Sequence, residues 1–446
     1  MALRESIPDL IKSPDAAMAQ IDAVLCADAA TTTTPEQRKR AFTILFFSLM
    51  CLGAGQSVMF AILPSFARKL GLTEFQASLP FVTSATIWVF SSGFWGARSD
   101  LWGRKPVMLL GLTAFGISFG LFAATAQLGI AALIPVAIAY PLMIAARALY
   151  GVFGSGTVPS AQAYVADRTT REERTRGVAT ISAAFGLGTT VGPAVGAVLV
   201  VFGLFAPFYF TALAAFASAA AIWLFLPERT APHLHIEPVP RLRWSDSRVR
   251  PFIVYGLGVT TAAAIPIQTV GYLFIDILHF NPAEAPQYTG IGLVASSLAA
   301  LFAQLVVVQR FSISARDLIR WGAIVAFAAN ILFSIAHQFG PLVFALILSG
   351  LGFGMVRPGY AAAASLAVDP DEQGAVAGLV GATSGAGFIF GPLIATALYR
   401  WSPAAPYLFG AALMSVLYVY ALLSPHLRNA GACAEGESAE TPVPNA

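Results

Sequence analysis

Stretches free of Asp, Glu, Lys and Arg divide the chain into long apolar runs separated by short charged segments. Six runs, 41–67, 75–97, 251–275, 285–309, 373–399 and 401–427, each suit one helix across a hydrocarbon core, which takes about 20 apolar residues. Three more, 106–146, 177–227 and 321–356, are too long for one crossing. Each is interrupted where Gly, Pro or polar residues gather: Ala126 to Gly129, Gly203 to Pro207, and His337 to Pro341. Beyond the first and third of these runs the apolar pattern continues past a single Arg (Arg147, Arg357) until Asp167 and Asp369. The pattern predicts an all-α membrane protein of twelve transmembrane helices.

The basic residues orient those helices. With the N-terminus inside, 21 of the 26 Lys and Arg fall in cytoplasmic segments, three fall outside (Arg68, Lys69, Arg400) and two lie within spans. This follows the positive-inside rule and predicts that both termini are cytoplasmic. The first forty residues lack an apolar run of signal-peptide length. They form a cytoplasmic tail, and 426–446 form a second tail that is expected to be disordered.

The segment 228–250 holds five arginines and three prolines and divides the chain into a first six-helix bundle, 41–227, and a second, 251–425. Its His233 and His235 lack further ligands in a metal spacing, so the segment reads as a charged tether and no metal is assigned. The two bundles share a register. Gly151 and Pro159 recur as Gly350 and Pro358, and Gly188, Gly192 and Pro193 recur as Gly387, Gly391 and Pro392, all at one offset of 199 residues. One shift shared by five Gly and Pro positions marks an internal duplication into two pseudo-symmetric halves. Parallel repeats of this kind place a substrate path between the halves near the midplane.

Composition narrows the function. Of 446 residues 57% are hydrophobic and 11% charged, with mean hydropathy +0.72. Soluble domains carry about 25% charged residues, so a soluble enzyme is excluded. A net charge of +3 with scattered basic residues gives no nucleic-acid footprint. Cys26, Cys51 and Cys433 suggest neither a metal site nor a disulfide framework. The five histidines lie in loops or at span ends, so no catalytic constellation forms and no cofactor is implied.

Three motifs carry the candidate chemistry. Between the second and third spans, Gly96, Asp100, Gly103, Arg104, Lys105 and Pro106 form a short charged turn. There Gly103 supplies permissive backbone angles, Pro106 opens the next helix, and Asp100 can accept hydrogen bonds as a latch. In the fourth span Arg147, Gly151, Gly154, Val158 and Gln162 fall near one helical face, flanked by the bend expected at Pro159. An arginine at a helix centre costs roughly 2.5–3.5 kcal/mol on insertion scales, so Arg147 should face protein or water. In the fifth span Gly188, Gly192, Pro193 and Gly196 let another helix approach closely.

Residues 41 to 425 resemble the major facilitator superfamily, specifically its twelve-span drug/proton antiporter branch, which includes tetracycline-type exporters. The turn resembles the signature G-x-x-x-D-R-x-G-R-K with Leu101 where the Arg after the Asp would stand. The fourth-span pattern resembles R-x-x-Q-G with Tyr150 in place of the Gln. The fifth-span glycine–proline motif is similar to the one that this branch associates with export. The resemblance implies a secondary transporter that works by alternating access, with Arg147 beside the proton-handling region.

The resemblance leaves two features of the chain unexplained, a missing intramembrane acid and an added arginine. Exporters of this branch carry an acid inside the first or fourth span, whereas here the first span offers Gln56 and Ser57, and Asp276 lies at the outer end of the seventh. Arg357, in the tenth span, corresponds by register to Val158 and has no counterpart. Two buried arginines without an embedded acid suggest a neutral or anionic organic substrate, with Arg147, Arg357, Gln56, Gln162 and Asp276 along its path or in proton coupling. The expected protein is a monomeric exporter of a drug or metabolite in a bacterial inner membrane, in which a predominance of Arg over Lys and abundant Ala point to a GC-rich gene. Its partners would be the lipid bilayer, the small organic substrate and protons, with no nucleic acid. An importer, symporter or facilitator of an organic anion with the same fold is the competing reading.

Overall fold

The structure is a computed structural model that describes residues 35–169, 171–227, 244–308, 310–311, 313–369 and 372–428. His233, His235, most of the linker and most of both tails lie outside the described residues. All described regular structure is helical. The first half comprises α1 (Pro35–Lys69), α2 (Glu74–Trp102), α3 (Arg104–Ile130), α4 (Val136–Gly154), α5 (Thr157–Ala166), α6 (Arg171–Leu199) and α7 (Ala206–Phe225). The second comprises α8 (Arg250–Asp276), α9 (Ala285–Phe302), α10 (Ala315–Ile335), α11 (Phe339–Leu366), α12 (Gln373–Tyr399), α13 (Ala405–Leu423) and the short α14 (Pro425–Arg428).

Among the described residues eleven helices are long and apolar enough to cross a membrane, with α4 and α5 together making one of them. The twelfth span is α2, which runs for 29 residues but carries Arg98, Asp100 and a run of serines. Large apolar side chains such as Phe90, Phe202 and Trp401 stand exposed on the bundle, as a hydrocarbon solvent requires.

Local chemistry explains the boundaries. Thr73 caps α2 in a capping box, its hydroxyl accepting from the Gln76 N–H while Gln76 Oε1 accepts from the Thr73 N–H. Gly103, at φ 96°, turns α2 into α3 within one residue, a conformation that favours glycine. The fourth span breaks at Ser155 and Gly156, four and three residues before Pro159, whose ring removes one helical hydrogen bond. Two boundaries differ from the sequence reading. The first helix begins at Pro35, inside the segment expected to be tail, and α3 continues to Ile130, so the break falls just before Pro135 rather than at Ala126 to Gly129. In the latter case no helix breaker stands before Pro135 except Gly129, which a helix tolerates at about 1 kcal/mol.

Among the described residues the halves meet from one end. Near Arg68 and Asp276 they share a single buried cluster that includes Phe66, Phe122 and Phe208 of the first half and Tyr272, Phe274 and Tyr407 of the second. Ser78 on α2 lies 3.4 Å from Thr396 on α12, and Gly271 on α8 is backed directly by Pro64 on α1. Towards the Asp100 end the second half has its own separate core around Tyr255, Phe353 and Met414. There a Cβ added at Gly93 or Gly96 on α2, or at Gly378 or Gly381 on α12, would meet no described atom within 4 Å. The bundle is closed at the Arg68 end and parted at the Asp100 end.

Candidate functional site

Arg147 occupies the centre of the first half on α4 and is 1% exposed. Phe119 on α3, Tyr150 on α4 and Phe81 on α2 surround its guanidinium, with ring centroids 5.1, 5.4 and 5.5 Å from Cζ. Its one hydrogen bond runs from Nη2 to Gln56 Oε1 at 3.4 Å, while Gln56 Nε2 donates to the Tyr150 hydroxyl at 3.2 Å. Nε and Nη1 are buried without a partner. Among the described residues no carboxylate pairs with Arg147.

Three cation–π contacts contribute roughly 0.5–2 kcal/mol each. They supply no hydrogen-bond acceptor to Nε and Nη1, which have no partner among the described residues. Stripping the ion of water costs several kcal/mol, so the site is under-satisfied as it stands. A carboxylate or similar planar anion would supply the two parallel acceptors that a guanidinium fork matches.

The other predicted residues are distributed along the bundle. Gln162, fifteen residues on, donates to Ser182 on α6 at 3.0 Å and does not join Arg147. Arg357 corrects an expectation: it is exposed rather than buried. At 100° per residue it lies between Gly354, which abuts Ala300 on α9, and Tyr360, which abuts Gly256 on α8. Those neighbours belong to the second half, and the side chain emerges on the arc between them, away from the face that meets α10.

The turn motif acts within the first half. Asp100 pairs with Arg104 one turn later, and Arg104 also reaches Asp167, at the end of the fourth span, at 3.2 Å and the Ser99 hydroxyl at 2.7 Å. Lys105 donates to the Leu226 carbonyl at the end of the sixth span, at 2.9 Å. Gly96 faces the open cleft. In the fifth span Gly188, Gly192 and Gly196 lie against Met50, Ala54 and Val58 of α1, where backbone leaves no room for a Cβ at the first two. The adjoining Pro193 lends its carbonyl to the contact with Gly290 on α9.

A second polar cluster went unrecognised in the sequence. Arg68, counted there only as an outer charge, donates through Nη2 to Asp276 at 2.7 Å and also pairs with Glu74. Tyr399 donates to the same Asp276 oxygen at 3.1 Å. Arg68 and Glu74 belong to the first half, Asp276 and Tyr399 to the second. The available signal was that the turn between the first two spans holds both signs of charge within six residues.

A bundle of two six-helix halves, joined at one end, parted at the other and holding a buried cation between aromatic walls, is the construction of a membrane transporter. Residues 45–333 and 277–445 match the Major Facilitator Superfamily, and the chain belongs to that family. It is 26% identical over 379 residues to Multidrug resistance protein 2 of Bacillus subtilis (strain 168), spanning 81% of this chain and 90% of that protein. It is 28% identical over 323 residues to the class C tetracycline resistance protein of Escherichia coli, across 68% and 75% of the two chains. Among solved structures, the human organic anion transporter MFSD10 (TETRAN) superposes with a TM-score of 0.61 at 20% identity, covering 87% of this chain and 100% of that one. That likeness supports the fold.

Proposed function

We propose that this transporter exports a small organic anion across a bacterial inner membrane by alternating access in exchange for protons. The observation that carries the substrate class is Arg147, a buried guanidinium that has, among the described residues, two unpartnered nitrogens and no carboxylate partner. The surrounding Phe81, Phe119 and Tyr150 suit a substrate with an apolar, flat body beside its negative group. Export is supported by the fifth-span motif and by the names of the bacterial relatives, which are resistance proteins. The charge bias supports a reading with the Arg68 end outward and the Asp100 end, with both termini, in the cytoplasm. In that orientation the structure is open inward, the state that collects a cytoplasmic substrate.

The test is efflux from cells loaded with fluorescent organic anions and with neutral and cationic compounds of matched size. Energy-dependent efflux of anions, lost in Arg147→Gln at equal expression, is expected. Selective efflux of cations would overturn the anion assignment, and accumulation instead of efflux would favour the importer reading. Proton exchange is read separately in everted vesicles as luminal alkalinisation on substrate addition, and luminal acidification or no change would overturn it.

A further inference from the structure

Carboxylates on two helices of opposite halves, Glu74 buried and Asp276 partly exposed, converge on one arginine at the closed end. Arg68 Nη2 bridges Glu74 on α2 and Asp276 on α8. Counted as ionised groups, two carboxylates face one guanidinium, which leaves one negative charge uncompensated. The other titratable groups turned to this cluster are tyrosines. Tyr399 on α12 donates to Asp276, and Tyr407 on α13, which receives the Thr269 hydroxyl at 2.8 Å, adjoins Tyr399. Lys69, His279 and Arg400 are exposed.

An independent feature points inward from the same cluster. Tyr272, fully buried, has its ring 5.2 Å from the Arg68 guanidinium and lies within electrostatic reach of Glu74, Arg68 and Asp276, yet its hydroxyl has no partner among the described residues. One turn further along α8, Gln268 is 3% exposed and both polar atoms of its amide are unpartnered. Asp276, Tyr272 and Gln268 thus form a stripe at i, i−4 and i−8 on one helical face. Buried polar atoms are ordinarily hydrogen-bonded, so this stripe is suited to hold water leading from the closed end towards the centre.

We propose that the Glu74–Arg68–Asp276 cluster is a proton-sensitive latch on the outer end, separate from the proton exchange proposed above, and that proton uptake there unlocks the closed end. This rests on the transporter reading with the Arg68 end facing outward. One proton from the external solution binds a carboxylate oxygen, the cluster becomes neutral, and the Arg68–Asp276 tie between the halves weakens. Glu74 keeps Arg68 on the first half when Asp276 lets go, so the guanidinium has a partner in both states. Return of that proton to the external solution restores the tie, so this proton gates the outer end and is not the one exchanged for substrate.

The experiment measures the distance between spin labels at Leu133→Cys and Trp401→Cys, exposed positions on the two halves at the Arg68 end, with Cys26, Cys51 and Cys433 replaced by serine. The labelled full-length protein is held in nanodiscs and acidified from about pH 8 to about pH 4, a range that reaches ordinary carboxylate titration. The longer-distance population should rise about tenfold or more in the otherwise wild-type protein. Asp276→Asn should show the long distance at every pH, and Glu74→Gln, which leaves one carboxylate per guanidinium, should need more acid to open. Tyr399→Phe, a milder change, should open at higher pH than wild type. A wild-type distance distribution unchanged by pH, or a Glu74→Gln response identical to wild type, would overturn the proposal. The readout is a distance, so opening on acidification without anion export would sink the substrate assignment and leave the proton site standing.

Discussion

Arg68 and Asp276 stand 2.7 Å apart across the boundary between the two halves of the bundle. Both side chains keep about a third of their surface exposed, so solvent screening limits such a pair to about 1 kcal/mol or less. That small value is what a contact broken in every cycle needs, because a tie of several kcal/mol would hold the bundle in one state. A double-mutant cycle on Arg68→Gln and Asp276→Asn, read by the melting temperature of the purified protein, should give a coupling of about 1 kcal/mol. A coupling near zero would mean that the contact does not hold the halves together.

Arg147 should tell charge from geometry. Arg147→Lys keeps the positive charge but loses the fork that matches a carboxylate, so anion efflux should fall at least about tenfold. Arg147→Met removes the buried ion and is expected to leave stability unchanged or improved while abolishing anion efflux. Thermal melts beside vesicle efflux separate the two effects.

Arg357 is exposed, so its removal should not disturb folding. Arg357→Ala is expected to express normally and to slow anion efflux several-fold, by about 1 kcal/mol of lost attraction along the path. Unchanged efflux of an anionic substrate would remove Arg357 from that path.

The glycines of the fifth span and those of the cleft should respond in opposite ways. Gly192 faces the Ala54 carbonyl and the Ser57 hydroxyl with no space for a methyl group, so Gly192→Ala should destabilise the protein by about 1–3 kcal/mol. Gly93, Gly96, Gly378 and Gly381 face open space, and leucine at any of them should leave the melting temperature within a degree or two while stopping transport. These positions run on from the Val89–Gly385 contact along α2 and α12, and the bundle must close there when its other end opens. Cysteine labelling from the Arg68 side would then show these variants trapped as described.

At the Asp100 end, hydrogen bonds from Arg248 to Glu372, at 2.8 and 3.0 Å, and to Asp246 hold both carboxyls below their usual range. A depressed folded value means the tie is fully present above the ordinary carboxylate range and is lost as pH falls through the lowered one. Arg248→Ala and wild type should therefore show the same difference in melting temperature at every pH between about 5 and 8, converging only in stronger acid. A difference that varies within that range would place the titration elsewhere.

The spans, the duplication and the charged turns were legible because each rests on local chemistry: apolar length, a Gly and Pro register, and a turn that only Gly103 permits. Arg147 was legible as a costly charge inside an apolar run. Its environment was not, since Phe81, Phe119 and Gln56 come from three other helices and nothing in their spacing announces a common centre. Arg357 misled for a related reason. An arginine inside a span reads the same whether its face is packed or open, and only the neighbours at Gly354 and Tyr360 decide. The Arg68–Asp276 tie joins residues 208 apart in sequence, so it appears only when the two halves are assembled.

On the proposed reading of Arg147 as the substrate centre, its aromatic cage sets a limit on how tightly cargo is held there. Without those rings the vacated guanidinium would be so poorly accommodated that any anion would be retained, and the next half-cycle would stall on release. Rings are weak, non-directional company that a departing substrate leaves behind at modest loss. The binding step is correspondingly shallow, so throughput at high internal concentration, and not scavenging of traces, is the regime for which such a centre is built.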